Sequence, residues 1–224
     1  MTDVLIDEAP LRRRGSLSRD EIVSAGLTIA TTDDLNSLTM KTLAKALGVT
    51  PMAVYRHFEN KAEIVDAVLD RLVQDAATTD HGIDPGQWQA WLKETFRRIH
   101  QTFLNAPGTL PMLDNLARFG PGLMEVFNDI LGVLDAAGFT RDQAVQATSA
   151  LISVTLGSVT IDAMQDRSVA DILGGLETVD PAEVASLYPH IMGAAEALIA
   201  SQKQPSVEVG INLMVASMEG WLKG

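Results

Sequence analysis

The stretch LTMKTLAKALGVTPMAVYRHFENK, Leu38 to Lys61, decides how this chain is read. It holds two short helical patterns with one glycine between them. In the first, Met40, Leu43, Ala44 and Leu47 fall at i, i+3, i+4 and i+7, one face of a helix. Thr39 stands where an N-cap hydroxyl is wanted. Gly48 follows at the position where helices commonly end in a left-handed residue, and Val49 reads as the buried residue of the turn. Thr50 is expected to cap a second helix with Pro51 in its first position, where a missing N–H costs nothing. Val54 and Phe58, four apart, can face inward together. Tyr55, Arg56 and His57 are then left side by side on a helix too short to be a core element.

Two short helices joined by a tight turn form a helix-turn-helix, whose second helix enters the major groove of DNA. On this reading Met52 and Ala53 can touch a thymine methyl, and Arg56 and His57 can donate to phosphates or purine acceptors. Tyr55 and Lys61 suit phosphate contacts. Thr39 and Lys41 point toward the same backbone from the first helix, and Thr50 and Pro51 complete the set at the entry of the second.

Charge is distributed in keeping with this. The 224-residue chain has a net charge of -12, yet residues 11–61 carry eight Lys or Arg against five acids. Phosphate attraction depends on the local face rather than on the total. Hydrophobic residues make up 46% of the chain, enough for a sizeable core. With no cysteine there is no disulfide scaffold, thiolate zinc site or cysteine nucleophile. No signal peptide and no run of about 18 apolar residues is visible, so the chain reads as cytoplasmic, without a membrane partner.

Residues 1–15 read as a flexible basic arm in which Arg12, Arg13 and Arg14 could reach a minor groove. Ser18 and Glu21 form a capping box at the start of the first helix, whose stripe is Ile22, Ala25, Ile29 and Ala30. Asn60 and Glu63 open a longer helix with Ile64, Val65, Val68, Leu69, Leu72 and Val73 on one side. Beyond it the periodicity is helical throughout, with helices expected at about 87–105, 108–117, 120–137, 140–165, 182–200 and 205–222. The breakers are NAPG, FGPG, AAGFT, GGLETVDP and QKQP. The fold class is therefore all-α. Its divisions are a helix-turn-helix over 16–61, a longer helix over 62–77 and a helical body over 78–224; that the second is a linker helix and the third a ligand-binding and dimerisation core is what a family resemblance carried by residues 38–72 implies.

The segment LTMKTLAKALGVTPMAVYRHFENKAEIVDAVLDRL resembles the TetR family of one-component transcriptional regulators, through Tyr55, His57, Phe58, Asn60 and Lys61. Further on, AGFTRDQAVQATSALISVTLGSV is similar to the long dimer-forming helix of the tetracycline repressors. The resemblance implies a homodimer that binds a near-palindromic double-stranded operator and is released by a small-molecule effector that swings the linker helices. Tetracycline repressors hold drug-bound magnesium with histidines in the segment after the 87–105 helix; here that segment, NAPGTLPMLDNLARFG, has none. No metal or other cofactor is therefore carried over. Arg56 also replaces a bulky aromatic of those repressors, which implies a different operator.

The effector is expected among Thr95, Phe96, His100, Phe103, Leu104, Met112, Leu113, Phe119, Met124 and Phe127, since ligand sites between helices are mostly apolar with a few polar groups. A dimer seam is expected from the small residues Ala147, Ala150, Ser153, Gly157 and Ser158 with Val209, Leu213, Ala216 and Met218. The rival reading is an all-helical small-molecule-binding protein or enzyme without DNA-binding activity. None of the four histidines falls in H-E-x-x-H or E-x-x-H spacing, and there is no G-x-S-x-G, so enzyme chemistry has no constellation to rest on.

Overall fold

The computed structural model describes residues 17–32, 38–78, 82–109, 120–163, 186–194, 196–197, 200 and 205–222, and among these there is no strand. Numbered over the described residues, the helices are α1 (Arg19–Thr32), α2 (Met40–Ala46), α3 (Pro51–Tyr55), α4 (Lys61–Thr78), α5 (Trp88–Leu104), α6 (Pro121–Ala136), α7 (Arg141–Ala163), α8 (Pro189–Gly193) and α9 (Ser206–Met218), the last followed by a 3-10 turn at Glu219–Leu222. The chain forms two compact units, Met1–Thr79 with Asn105–Phe127, and Asp80–Leu104 with Asn128–Gly224.

In the first unit α1 opens with the expected capping box. The Ser18 N–H donates to Glu21 Oε2 at 2.8 Å, and the Glu21 N–H donates to Ser18 Oγ at 3.2 Å. The core gathers Ile22, Leu38, Leu43, Val54, Phe58 and Ile64, each at most 1% exposed. Helices α1 and α4 pack closely at Gly26, where a Cβ would lie 2.7 Å from Val68 Cγ2. Ion pairs Arg71–Asp20 at 2.7 Å and Arg19–Glu63 at 2.8 Å span the same contact.

In the second unit α5, α7 and α9 pack on one another. Leu92, Phe96 and Phe103 of α5, Ala147 and Leu151 of α7, and Val207, Ile211 and Val215 of α9 are all buried in this unit. At Gly210 a Cβ would stand 2.5 Å from Val154 Cγ1, so the α7–α9 approach depends on that glycine. Trp88 meets Phe139 edge-on with ring centroids 5.0 Å apart. By length and hydropathy α7 is long and apolar enough to cross a membrane. Seven of its residues are nonetheless buried within the unit, which fits a core helix equally well.

The expected helices at 87–105, 120–137 and 140–165 match α5, α6 and α7 within two residues; that at 205–222 matches α9 at its start, but the α-helix ends at Met218 and residues Glu219–Leu222 continue as the 3-10 turn. Most of the 108–117 reading lies outside the described residues, as does the arm at 1–15. The single helix expected over 182–200 is corrected: the chain leaves helix at Tyr188 (φ -129, ψ 57) and re-enters at Pro189. Proline disfavours the helical region for the residue before it, which accounts for the break.

On α5, Glu94 accepts from Arg97 at 2.7 and 2.9 Å and from Arg98 at 2.7 Å. The Arg97 hydrogen bonds, reinforced by Arg98, outweigh desolvation and hold its carboxyl down to about 2. A depressed carboxylate stabilises the fold above its unfolded value near 4.5 and loses that contribution as pH falls through about 2. Glu94→Gln is therefore expected to lower stability by roughly 0.5–1 kcal/mol at pH 7. The deficit should shrink steadily below pH 4.5, as read from urea midpoints of both proteins.

Candidate nucleic-acid interface and effector core

The reading head is built from local capping signals. Thr39 and Thr42 of α2 form a reciprocal capping box, with the Thr42 N–H donating to Thr39 Oγ1 at 3.0 Å and the Thr39 N–H to Thr42 Oγ1 at 2.8 Å. Helix α2 closes as a Schellman motif. The Val49 N–H donates to the Ala44 carbonyl at 2.9 Å and the Gly48 N–H to Lys45 at 3.3 Å, with Gly48 at φ 63. A side chain at Gly48 would be strained in that left-handed conformation. Val49 is half-buried rather than buried.

Helix α3 has five residues. Thr50 occupies its N-cap in extended conformation but its side chain makes no capping bond, contrary to the sequence expectation; Pro51 does take the first helical position. The helix ends at Tyr55, Arg56 is its C-cap, and His57 follows in a turn whose N–H donates to the Val54 carbonyl at 2.9 Å. His57 is thus displaced from the helix on which the sequence placed it, because Val54 and Phe58, both fully buried, pull the chain inward after one and a half turns. Met52 is 67% and Tyr55 48% exposed. Thr39, Lys41, Thr50, Pro51 and Arg56 are also exposed, while Ala53, His57 and Lys61 are half-buried.

Arg19 is a functional residue that the sequence did not reveal. Counted there among the charges of a basic segment, it lies exposed but is tied to neighbouring elements of its own chain. Its guanidinium lies 3.9 Å from the Phe58 ring centroid, donates to the His57 carbonyl at 2.7 Å and pairs with Glu63 at 2.8 Å. One side chain therefore fastens the exit of α3 to both α1 and α4. Glu63 is held below its ordinary value by the Glu59 N–H first and Arg19 second.

In the second unit Thr95, Phe96, His100 and Phe103 share the buried face of α5, and Leu104 is half-buried. His100 Nε2 stands 2.9 Å from Asp162 Oδ2, with side chains 3% and 6% exposed. The distance is that of an ion pair, but Nε2 has no aligned hydrogen-bond partner. Asp162, remote in sequence, was not anticipated. In the first unit Phe127 is half-buried, and Met124 is 57% exposed on the outer side of α6. Met112, Leu113 and Phe119 lie outside the described residues. An open cavity of about 390 Å³ in the second unit is lined by Asn128, Leu131, Asp135, Phe139, Arg141 and Val145 among others, and includes none of the expected effector residues. No group of three or more metal-ligating side chains occurs among the described residues.

A five-residue helix displayed over a capped glycine turn, on a helical body, defines the helix-turn-helix class of bacterial regulators. The profile described as "Bacterial regulatory proteins, tetR family" matches residues 22–68, and that described as "Tetracyclin repressor-like, C-terminal domain" matches residues 83–221. The chain belongs to the TetR family. It is 26% identical over 162 residues to the HTH-type transcriptional repressor Rv1353c of Mycobacterium tuberculosis, covering 70% of this chain but only 62% of that protein. It is 26% identical over 218 residues to the class A tetracycline repressor from transposon 1721 of Escherichia coli, covering 93% and 98% of the two chains. Apo ActR from Streptomyces coelicolor shares the fold, with a TM-score of 0.77 at 22% identity over 90% of this chain and 94% of that one. ActR has also been solved with (S)-DNPA and with actinorhodin.

Because guanidinium stacking and forked donation are beyond an ammonium group, Arg19→Lys is expected to behave like Arg19→Ala. Both should lower stability by about 1 kcal/mol, read from the shift in urea midpoint. Amide exchange at His57 and Phe58 should accelerate in parallel, and an unaltered exchange rate there would remove the assigned role.

Proposed function

We propose that this chain is a ligand-responsive transcriptional repressor that binds a near-palindromic operator as a cytoplasmic homodimer and is released by a small molecule. One observation carries it: Met52 and Tyr55 of α3 and Arg56 at its C-cap stand exposed while Val54 and Phe58 of the same segment are buried. An exposed apolar residue, an aromatic and a guanidinium on one short helix suit a groove of duplex DNA better than they suit water. Lys41 and Lys61 supply flanking cations and Thr39 and Thr50 supply hydroxyls, while Pro51, Ala53 and His57 shape the edges of the surface. Residues 16–61 are read as the head, 62–77 as the linker and 78–224 as the effector and dimer core.

The outward face of α7 supports the homodimer. Val145 and Ile161 are 53% and 58% exposed, and Ser153 and Gly157 lie exposed between them. On α9 Val209 and Leu213 are 45% and 67% exposed, with Ala216 exposed one turn on. The seam is thus narrower than the sequence suggested: Ala147, Ser158 and Met218 are buried within the chain, and Ala150 is half-buried. In a two-fold interface each substitution counts twice. Leu213→Glu is expected to weaken self-association on the order of 100-fold, measured by sedimentation equilibrium.

For the effector, the buried His100–Asp162 pair among Thr95, Phe96, Phe103 and Leu104 suits a mainly apolar molecule carrying a hydroxyl, which could accept from Nε2 and donate to the carboxylate. ActR with its two bound compounds is the fold neighbour that supports small-molecule binding in this architecture. A gel-shift against the upstream DNA of its own gene tests the reading. Arg56→Ala is expected to cost roughly 1–3 kcal/mol on the preferred sequence and to relax one position. Lys61→Ala should weaken binding to all sequences alike and lower the salt slope by about 1. No sequence-selective shift by the wild-type protein would overturn the proposal.

A further inference from the structure

The FGPG segment ahead of α6 reads in sequence as a helix breaker, and its geometry goes further. Helix α6 starts at Pro121 after Gly120, so its N-cap residue has no side chain with which to satisfy the first amides. Pro121 has no N–H, and the Met124 N–H donates to the Gly120 carbonyl at 3.0 Å. The two amides left over, those of Gly122 and Leu123, donate to Asp70 of α4, to Oδ2 at 3.0 Å and to Oδ1 at 2.7 Å. The N-cap is supplied in trans by another helix, and both carboxylate oxygens are used. One turn on, Gln74 Nε2 donates to Glu125 Oε2 at 2.7 Å.

Both glycines are needed for this approach. A Cβ on Gly120 would collide with the Asp70 carboxylate, and one on Gly122 would lie 3.0 Å from Gln74 Cβ and 3.1 Å from the Asp70 carbonyl oxygen. Helix α4 thus grips two neighbours from different sides. Ile64, Val68 and Arg71 hold α1, while Asp70 and Gln74 hold the first turn of α6. At 3.6 residues per turn those two sets point roughly 100° apart. Since α1 carries Arg19, the clamp around the exit of α3, fixing α4 fixes the direction of the reading helix.

We propose that Asp70 is a positioning residue for operator recognition: its carboxylate anchors α4 on the α6 N-terminus and so sets the spacing of the two reading heads in the dimer. This rests on the DNA-binding and dimer reading above. Two heads on one duplex gain affinity over one head only if their spacing matches the two half-sites, and that gain vanishes when the geometry is lost. A cap that only stabilised the fold would affect one-head and two-head binding equally.

The test uses the full-length protein and two fluorescent duplexes. One is the two-half-site sequence that wild type selects from a random pool, and the other is the same duplex with one half-site scrambled. Asp70→Ala is expected to weaken the two-half-site complex at least about tenfold, with the scrambled duplex changed less than about twofold. Asp70→Asn keeps one acceptor oxygen and should fall between. If Asp70→Ala does not fold, Gln74→Ala, which removes the neighbouring Gln74–Glu125 contact, should show a smaller split in the same direction. Parallel losses on both duplexes, or no loss on either, overturn the positioning role while leaving DNA binding intact. Failure of wild type to select any sequence overturns both.

Discussion

A helix of five residues has no stability of its own, because nucleation in water is unfavourable and one turn of hydrogen bonds does not offset it. The direction of α3 is therefore dictated from outside. Val54 and Phe58 drive it into the core, and Gly48 lets the chain turn sharply enough to deliver them there. Arg19 then covers Phe58 and binds the carbonyl that follows the helix. What remains exposed is fixed by what is buried: with Val54 and Phe58 inward, Met52, Tyr55 and Arg56 have only the outer face available. Base readout requires side chains held to a fraction of an ångström, which a free peptide of this length could not provide.

The same reasoning by faces applies to α7. Helix α7 carries large apolar residues on its exposed side as well as its buried one, and apolar surface left in water favours a covering partner. Within one chain α7 packs against α5 and α9, and its Ala144, Ala147, Leu151, Thr155 and Val159 are buried while Val145 and Ile161 are exposed. The serines and glycine between the exposed residues, Ser149, Ser153 and Gly157, keep the outer surface low enough for another helix to approach closely. A second copy presenting the same surface would satisfy both conditions, and the proposed two-fold dimer would bring α7 and α9 of each copy into one four-helix contact.

Much of this was legible because the signals are local. The Ser18–Glu21 box, the Thr39 cap, the Gly48 turn and the proline at α3 all act within four residues, and each appears where its neighbours require it, although Thr50 leaves its capping role unused. Helix limits such as Trp88–Leu104 follow from breakers in the same way. Arg19 and Asp70 were illegible for the opposite reason: their partners lie 38 to 53 residues away, and no spacing rule links an arginine to a remote carbonyl or an aspartate to a remote helix start. Small residues misled because size does not encode direction, so Ala147 and Ser158 went to the inner face and Ser153 and Gly157 to the outer. Methionine misled similarly: its flexible thioether fits a core or a surface, and Met124 took the surface.

The acidity of the chain is compatible with a DNA-binding head because charge acts locally. Several cations are already committed: Arg71 to Asp20 and Asp75, Arg97 and Arg98 to Glu94, and Arg19 to Glu63. Lys41, Lys45 and Arg56 stand exposed around α2 and α3. At physiological ionic strength a charge is felt over about 8 Å, so acids elsewhere on the molecule subtract little from the field at this face. They do act on everything else, since a net charge of -12 repels other polyanions from the remaining surface. On charge alone, the surface around α2 and α3 is therefore less repulsive to a polyanion than the acidic remainder. Arg19, although exposed, adds less to that field than its position suggests, because its guanidinium is engaged with the Phe58 ring, the His57 carbonyl and Glu63 and so serves to hold α3 in place.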